Sequence, residues 1–164
     1  MKILKLPLFV LLAIFTLSSC TTESIYDNSE TIELTLVKKE VKTIELEILE
    51  LLNDHRLSLG LNPLEEMAVI KSVAHSHTDY MVDNEEVSHH NFFTRSDYLK
   101  SNTGAIKVSE NVAFGYSSAE SVVRAWIKSE SHKKNLEGDY TNFDISAEKN
   151  EEGRWYYTNI FIKK

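Results

Sequence analysis

The chain has 164 residues, of which 25 are acidic and 18 basic, so its formal net charge at pH 7 is −7 with neutral histidine. This negative balance argues against nucleic acid or an anionic membrane surface as a partner, because both repel a negatively charged protein. Cys20 is the single cysteine, which excludes an intrachain disulfide framework.

Residues 1–19 have the features of an export signal. Lys2 and Lys5 give a positive start, and an apolar run of twelve residues follows over positions 6–17. A helix needs roughly 20 apolar residues to cross a bilayer, so this run is too short for a transmembrane anchor. The segment ends in Leu-Ser-Ser-Cys, which resembles the bacterial lipobox, where cleavage leaves the cysteine lipidated at the new N-terminus. We therefore predict a signal peptide and a lipidated Cys20; the alternative is an ordinary signal peptide followed by a chance cysteine.

The remaining chain divides into a tether and one domain. Residues 20–42 are polar and mixed in charge, which predicts a lipidated N-terminus and a tether, although residues 31–37 alternate in the manner of a strand. Residues 43–164, about 120 in number, have the common size of a single domain. Loss of residues 1–19 removes two lysines and no acid, so the mature chain would have a net charge of −9. Membrane attachment would then come from the lipid.

Apolar periodicity predicts two helices in the first half of the domain. The first has apolar residues at spacings of three and four over residues 41–59 and ends at Gly60. The second begins near Leu64, with Glu65 and Glu66 in its first turn, where the helix dipole favours negative charge. Its buried stripe is predicted to contain Met67, Ile70, Ala74, His77 and Met81.

A third helix and two closing strands follow. The Ser117-x-x-Glu120 spacing predicts a capping box for a helix that ends near Ser129. Residues 143–148 and 154–162 predict two strands joined by a polar hairpin. The last strand is apolar or aromatic at both odd and even positions, which indicates burial on both of its faces. These elements predict an α+β fold in which helices cover both sides of an antiparallel sheet.

The segments between these elements are less regular. Residues 88–95 predict a loop or a short helix, and residues 102–104 predict a turn. Residues 109–116 read as a buried strand that enters a turn, yet Glu110 and Asn111 stand at its head. A carboxylate beside an apolar segment costs free energy unless a partner satisfies it. The sequence therefore raises the question of what Glu110 faces.

All six histidines lie between positions 55 and 132. His75 and His77 are two residues apart on the second helix, so they point to different faces and cannot hold one ion together. The place of His77 on the buried stripe favours a structural role. His89, His90 and His132 lie outside the predicted apolar stripes, and for each the alternative to a functional role is a solvated loop histidine.

Several segments occur in an order and with separations that resemble the CAP superfamily, which groups cysteine-rich secretory proteins, antigen 5 and plant pathogenesis-related proteins. The bacterial SCP-like branch is the most similar, and the likeness covers about residues 44–164. It is carried by the segments NDHRLSLGLNPL, EVSHHNFFTR, SENVAFGY, SVVRAWIKSESHKKN and GRWYYTNIF. The resemblance implies a three-layer α-β-α sandwich with a central antiparallel sheet, which agrees with the elements predicted above.

The resemblance also implies an open cleft lined by His89 and Glu110. In the family, a histidine of the S-H-x-x-F segment and the glutamate of the E-N-V-A segment line this cleft, and these residues stand at the matching positions here. A carboxylate near an imidazole favours the charged ring and fixes its orientation, while the histidine offsets part of the cost of desolvating the carboxylate. Such a pair could position a water molecule or a ligand.

The family pattern is incomplete beyond that pair. Many members add a glutamate three positions after the tryptophan of the third helix and a histidine in a later strand; Ser129 stands at the first place here, and no histidine follows His132. His132 belongs to an S-x-x-H-x-x-N segment typical of the bacterial branch, and it either approaches the same cleft or caps the helix end. Two imidazoles and one carboxylate make a familiar zinc arrangement, so His89 and His132, together with Glu110, are candidate ligands of a divalent metal such as zinc.

Three functions remain open at this point. The first is an exported, membrane-tethered binding module that holds a small apolar molecule, a peptide or a cell-envelope component in the cleft around His89 and Glu110. The second is a metal-assisted hydrolase or peptidase in which His89 and His132 hold the ion and Glu110 is the general base. The third is a structural extracellular adaptor. The incomplete polar site favours the first, and the sequence offers the second no helical H-E-x-x-H and no serine-centred elbow.

Overall fold

A computed structural model of the protein describes residues 41–164, which form five helices and a four-stranded sheet. In chain order the elements are α1 (Thr43–Ser58), β1 (Glu65–Glu66), α2 (Ala68–Asp83), α3 (Phe92–Thr103), β2 (Lys107–Phe114), α4 (Ala119–Lys128), α5 (Glu130–Leu136), β3 (Asn142–Lys149) and β4 (Trp155–Lys163). The predictions for residues 1–40, including the signal peptide, the lipidated Cys20 and the alternative strand over residues 31–37, lie outside the described residues. Within residues 41–164, none of the helices combines the length and the apolar character that crossing a membrane requires.

The strands of the sheet lie in the order β1-β3-β4-β2. β4 pairs antiparallel with β3 on one side and with β2 on the other, and the two closing strands lie where the sequence predicts them. The two-residue β1 pairs parallel with β3. β2 is therefore the edge strand at the end of the sheet opposite β1.

Alternate residues of β4 pack on opposite helical layers. Tyr157 and Phe161 belong to a core cluster with α1 and α4, while Ile160 and Ile162 belong to a second cluster with α2 and α3. All four side chains are fully buried. Burial of a large apolar side chain contributes about 1.5–3 kcal/mol, so both layers stabilise the sheet. The α+β class and the α-β-α sandwich are confirmed, with one short parallel strand added to the antiparallel sheet.

The structure differs from the sequence prediction at the start of the second helix. Glu65 and Glu66 form β1, and α2 begins only at Ala68. The amide N–H of Glu65 donates a hydrogen bond to the carbonyl of Thr141 at 3.1 Å. The helix-dipole preference of an exposed acid is worth only about 0.3–1 kcal/mol, so pairing with the sheet decides the local structure here.

The cap of α4 lies one residue later than predicted. The Ser118 side chain accepts a hydrogen bond from the amide of Ser121 at 3.3 Å, and the Ser121 hydroxyl accepts one from the amide of Ser118 at 3.2 Å. Ser118 has the extended backbone that an N-cap requires, with φ −140° and ψ 159°. The box predicted from Ser117 to Glu120 was therefore wrong by one position.

The whole segment Phe92–Thr103 is helical, where the sequence predicts only a loop or a short helix at its start. The helix ends at Gly104, whose φ of 74° is typical of a residue just after a helix. The turn predicted over residues 102–104 was wrong at Asn102 and Thr103, which are helical, and right at Gly104. The buried residues of α3 are Arg95, Ser96 and Leu99. Because two of the three are polar, the apolar periodicity that marks a helix is weak in this segment.

Candidate functional site

Glu110 is buried on the face of the sheet that α2 and α3 cover. Side chains alternate along a strand, so Glu110 shares this face of β2 with Val108 and Val112, which pack in the clusters on the α2 and α3 side. Only 1% of the Glu110 side chain is exposed. A carboxylate in such a position requires charged or hydrogen-bonding partners.

The Glu110 carboxylate has three such neighbours. Arg95 donates two hydrogen bonds to it, from Nε to Oε2 at 2.9 Å and from Nη2 to Oε1 at 2.8 Å. His89 Nδ1 lies 2.8 Å from Oε1, and His77 Nε2 lies 3.8 Å from the same oxygen. The structure thus brings together His89 and Glu110, and a bidentate arginine engages both oxygens of the carboxylate.

Sequence reasoning missed Arg95 entirely. The residue lies in the T-R-S-D stretch of α3, whose polar inward face conceals the helix. One signal could have found it, because a buried carboxylate in a strand demands a cation, and Arg95 is the nearest arginine on the N-terminal side of Glu110.

Hydrogen bonding holds the Glu110 carboxyl in its ionised form. Burial alone would raise the pKa of Glu110, but the hydrogen bonds from His89 and Arg95, together with the charge of Arg95, hold this pKa below its usual range. An ionised carboxylate only accepts hydrogen bonds, so Nδ1 of His89 carries the proton and donates it. In the neutral ring the lone pair is then on Nε2. The His89 side chain is 51% exposed, so the site offers this nitrogen to a ligand.

Two side chains that contact Glu110 also hold the backbone next to His89. His77 Nε2 donates a hydrogen bond to the carbonyl of Ser88 at 2.8 Å, and burial lowers the pKa of His77, which favours its neutral ring. Arg95 Nη1 donates a hydrogen bond to the carbonyl of His90 at 2.5 Å. His77 and Arg95 therefore fix the backbone on both sides of His89. The structural role predicted for His77 agrees with these contacts.

The larger of two cavities at His89 has a volume of about 460 Å³. It is lined by residues 87–89, by residues 112–114 of β2, by Trp126 of α4 and by His132 of α5, among others. Of the two alternatives for His132, the structure thus has it approach the cavity of His89. Burial lowers the pKa of His132, and the neighbouring His89 lowers it further, so a neutral ring is favoured.

The smaller cavity has a volume of about 270 Å³ and also includes His89. Its other lining residues are Phe92, Asn135 and residues 108–110 of β2. Asn135 Nδ2 donates hydrogen bonds to the carbonyl of Glu110 at 3.2 Å and to Oδ1 of Asn111 at 2.8 Å. These bonds fix α5 against β2, next to the Glu110 carboxylate.

The three candidate metal ligands do not converge on one point. Both oxygens of Glu110 already accept hydrogen bonds, and His89 directs its protonated Nδ1 at one of them. Within residues 41–164, the one set of three imidazole or carboxylate groups with ligand atoms within 4.8 Å of one another consists of His75, Asp79 and Glu148. The arrangement of His89, Glu110 and His132 therefore does not fit the zinc site that the sequence suggests.

The set at His75 is an ion-pair network that joins α2 to Glu148 of β3 and to Lys42, just before α1. His75 Nε2 lies 3.1 Å from Asp79 Oδ2, and His75 Nδ1 lies 3.3 Å from Glu148 Oε1. The ammonium of Lys42 lies 2.5 Å from the same Glu148 oxygen. Lys42 thus supplies a cation to the Glu148 carboxylate.

This chain is similar in sequence to known proteins over most of its length. The profile of the cysteine-rich secretory protein family, CAP, matches residues 49–161. The membrane protein YlbC of Bacillus subtilis is 33% identical over 131 residues, which cover 77% of this chain and 36% of that protein. YkwD of the same organism is 31% identical over 105 residues, which cover 62% of this chain and 41% of YkwD. This chain therefore spans less than half the length of these two relatives.

Solved structures share its fold. An extracellular protein of Bacillus anthracis that contains an SCP domain is 28% identical, with a TM-score of 0.63 over 73% of this chain and 40% of that one. An outer surface protein of Borrelia burgdorferi is 24% identical and shares the fold with a TM-score of 0.65, over 71% of this chain and 90% of that one. Since the family profile covers more than half of the sequence, this chain belongs to the cysteine-rich secretory protein family.

Proposed function

We propose that this protein is an exported binding module that holds a ligand in the cleft at His89. The observation that carries the proposal is the state of the Glu110 carboxylate, which is ionised and engaged on both oxygens. A general base needs a lone pair that the substrate proton can reach and a pKa near the working pH. The Glu110 side chain is only 1% exposed, and its pKa lies below its usual range. Its carboxylate instead orients His89.

The cavity beside His89 has the character of a ligand site. Its volume of about 460 Å³ is in the range of small-molecule pockets, which are mostly apolar with a few polar groups that fix orientation. Phe114, Tyr116 and Trp126 give it apolar walls, while His89 and His132 supply the polar groups. A small apolar molecule, a peptide or a component of the cell envelope would suit these walls.

Capture of ligand from envelope extracts tests the proposal. The chain carrying Cys20→Ser, which removes the predicted lipidation site, is incubated with lipids and peptides extracted from a bacterial envelope, and retained compounds are identified by mass spectrometry. Calorimetry then measures the affinity for the most strongly retained compound. His89→Ala should weaken it roughly tenfold, or about 1.4 kcal/mol. Because this ring donates a hydrogen bond to the buried Glu110 carboxylate, the unfolding free energy should fall by about 1.5–3 kcal/mol. The two bonds from Arg95 remain, so the domain should stay folded.

His90→Ala is the matched control for this experiment. His90 is the adjacent exposed histidine, stacks on Tyr80 with ring centroids 4.9 Å apart, and lines neither cavity at His89. Its replacement should leave the affinity unchanged. Failure to retain any compound, or equal affinities for wild type and His89→Ala, would contradict the proposed function and favour the structural adaptor. Replacement of Glu110 cannot separate these two, because a buried ion pair is costly to break in either case.

The membrane tether is a separate part of the proposal. Its support is the signal-like segment that ends at Cys20 and the similarity to an extracellular protein and a membrane protein. Growth of an expressing bacterium with a labelled fatty acid should label the wild-type chain and leave Cys20→Ser unlabelled in the soluble fraction. An unlabelled wild-type chain would contradict lipidation and leave the ligand cleft unaffected.

A further inference from the structure

Both cavities at His89 lie along the edge strand β2. Residues 112–114 of this strand line the larger cavity, and residues 108–110 line the smaller one. Each cavity is also bounded by both helical layers, since His89 precedes α3 on one side of the sheet while α4 or α5 closes the other side. A cavity bounded by both layers must lie at the edge of the sheet that separates them. The two cavities therefore lie next to each other along β2, with His89 contributing to both, and together they are called the groove.

The hydrogen-bond pattern of β2 defines which backbone groups face this groove. Gly115, just after β2, donates its amide N–H to the carbonyl of the opposite residue Trp155 at 2.8 Å. In an antiparallel pair, residues that exchange such bonds alternate with residues that face away. The odd-numbered residues of β2 thus pair with β4, and the even-numbered residues direct their N–H and C=O groups to the groove.

Two side chains from the α4 and α5 layer support this assignment. Trp126 Nε1 donates a hydrogen bond to the carbonyl of Val112 at 3.2 Å, and Asn135 Nδ2 donates one to the carbonyl of Glu110 at 3.2 Å. The amide N–H of each strand residue points to the same side as its carbonyl. Among the described residues, no hydrogen bond from outside the sheet ladder reaches the amides of Glu110 and Val112. The groove therefore offers two N–H donors that are two residues apart.

We propose that the ligand of this cleft is an extended peptide that lies along the edge of β2 and accepts hydrogen bonds from the amides of Glu110 and Val112, whose carbonyls already accept bonds from Asn135 and Trp126. The proposal rests on the proposed function, because it assigns the ligand class of the same cleft. Carbonyls of alternate residues in an extended chain are about 6.8 Å apart, which matches the spacing of the two amides. A lipid chain would displace water from both amides without replacing its hydrogen bonds, which costs free energy. In its neutral form, Nε2 of His89 can accept an N–H from such a peptide at the middle of the groove.

Amide hydrogen exchange, measured by NMR on the chain carrying Cys20→Ser, tests the geometry. Without ligand, the amides of Glu110 and Val112 should exchange roughly tenfold faster than those of Asn111 and Ala113, which lie in the ladder. The probe is a blocked peptide of alternating valine and threonine, about seven residues long to match β2, with a lysine at each end. Addition of the probe should slow the exchange of Glu110 and Val112 roughly tenfold and leave Asn111 and Ala113 unchanged. Unchanged exchange at all four amides would overturn the proposal.

N-methylated peptides and one variant serve as controls. Methylation of every peptide nitrogen places methyl groups on both edges of the extended peptide, which keeps its carbonyls away from the two amides and should abolish binding. Methylation of alternate nitrogens leaves one edge unblocked and should preserve binding. Val112→Pro removes an outward N–H without touching the ladder. Val112→Ala also loses the side chain that lines the larger cavity but keeps the N–H, so Val112→Pro should bind roughly tenfold more weakly than Val112→Ala. If Val112→Pro fails to fold, the exchange experiment on the wild-type sequence still decides.

The outcomes separate this inference from the proposed function. If the envelope ligand depends on His89 but the probe peptide does not bind, or binds equally when fully methylated, the peptide assignment is overturned and the ligand cleft stands. If neither the envelope extract nor the peptide yields a ligand, both are overturned.

Discussion

The replacement Arg95→Met should be among the most destabilising single changes at the site. Arg95 is 4% exposed and makes two hydrogen bonds to Glu110 and a third to the carbonyl of His90. Methionine fills a similar volume without charge, so the change leaves a carboxylate with 1% side-chain exposure and only histidines beside it. Removal of one partner of a buried ion pair costs about 3–5 kcal/mol, a large part of the roughly 5–15 kcal/mol that holds a domain folded. Urea unfolding at pH 7 measures this loss.

The pH dependence of the loss provides the control. In the wild type the pKa of Glu110 lies below its usual range, so the stability from this pair is present above the unfolded pKa and is lost as pH falls through the folded one. Without Arg95 the carboxyl is more easily protonated, so the penalty should shrink between pH 7 and about pH 4. The double variant Arg95→Met with Glu110→Gln removes the orphaned charge and should recover about half of the loss. A penalty below about 1 kcal/mol, or one that is equal at both pH values, would refute the buried ion pair.

Two further changes test the packing around the site. Burial raises the pKa of Asp144 to about 7, so this group stabilises the fold when protonated, and its contribution is lost as pH rises from about 4 through 7. Asp144→Asn should therefore raise the unfolding free energy by roughly 1–3 kcal/mol above pH 7 and change it little near pH 4, as measured by urea unfolding; a loss of stability at both pH values would contradict this. Asn135→Ala leaves the carbonyl of Glu110 without its donor and should cost about 1–3 kcal/mol, with shifted NMR signals at His132 as α5 loosens. Unchanged stability and unchanged His132 signals would show that Asn135 does not hold α5.

The sequence predicts those elements whose buried side is apolar. α4 has a regular apolar stripe, and most residues of β4 are apolar on both of its faces. α1 and α2 also carry apolar residues at helical spacing, although α1 buries Glu45 and Arg56 and α2 buries His77 and Thr78. β1 could not be predicted, because two exposed glutamates carry no strand pattern and only their pairing with β3 makes them a strand. Tertiary contacts, which a local pattern does not contain, decide such short elements.

At the site, the sequence indicates the pair but not what holds it. His89 and Glu110 are found through their resemblance to a known family, whereas Arg95 is hidden in a helix whose buried side is polar because it serves the carboxylate. For His77, the sequence likewise predicts the role but not the contact that carries it. Its place on an apolar stripe gives its structural role, but its bond to Ser88, in the loop before His89, depends on how that loop folds back on α2.

The most direct measurement of the central claim is the tautomer of His89 in solution. Nitrogen NMR on a chain with labelled histidine reports which ring nitrogen carries the proton, at about pH 8.5, where an ordinary histidine is neutral. If the ionised Glu110 accepts from Nδ1 at 2.8 Å, His89 should be protonated at Nδ1 with its lone pair on Nε2. The double variant Arg95→Met with Glu110→Met removes the acceptor without leaving a buried charge and should lose this preference. A wild-type ring protonated at Nε2, or one that the double variant leaves unchanged, would contradict the account.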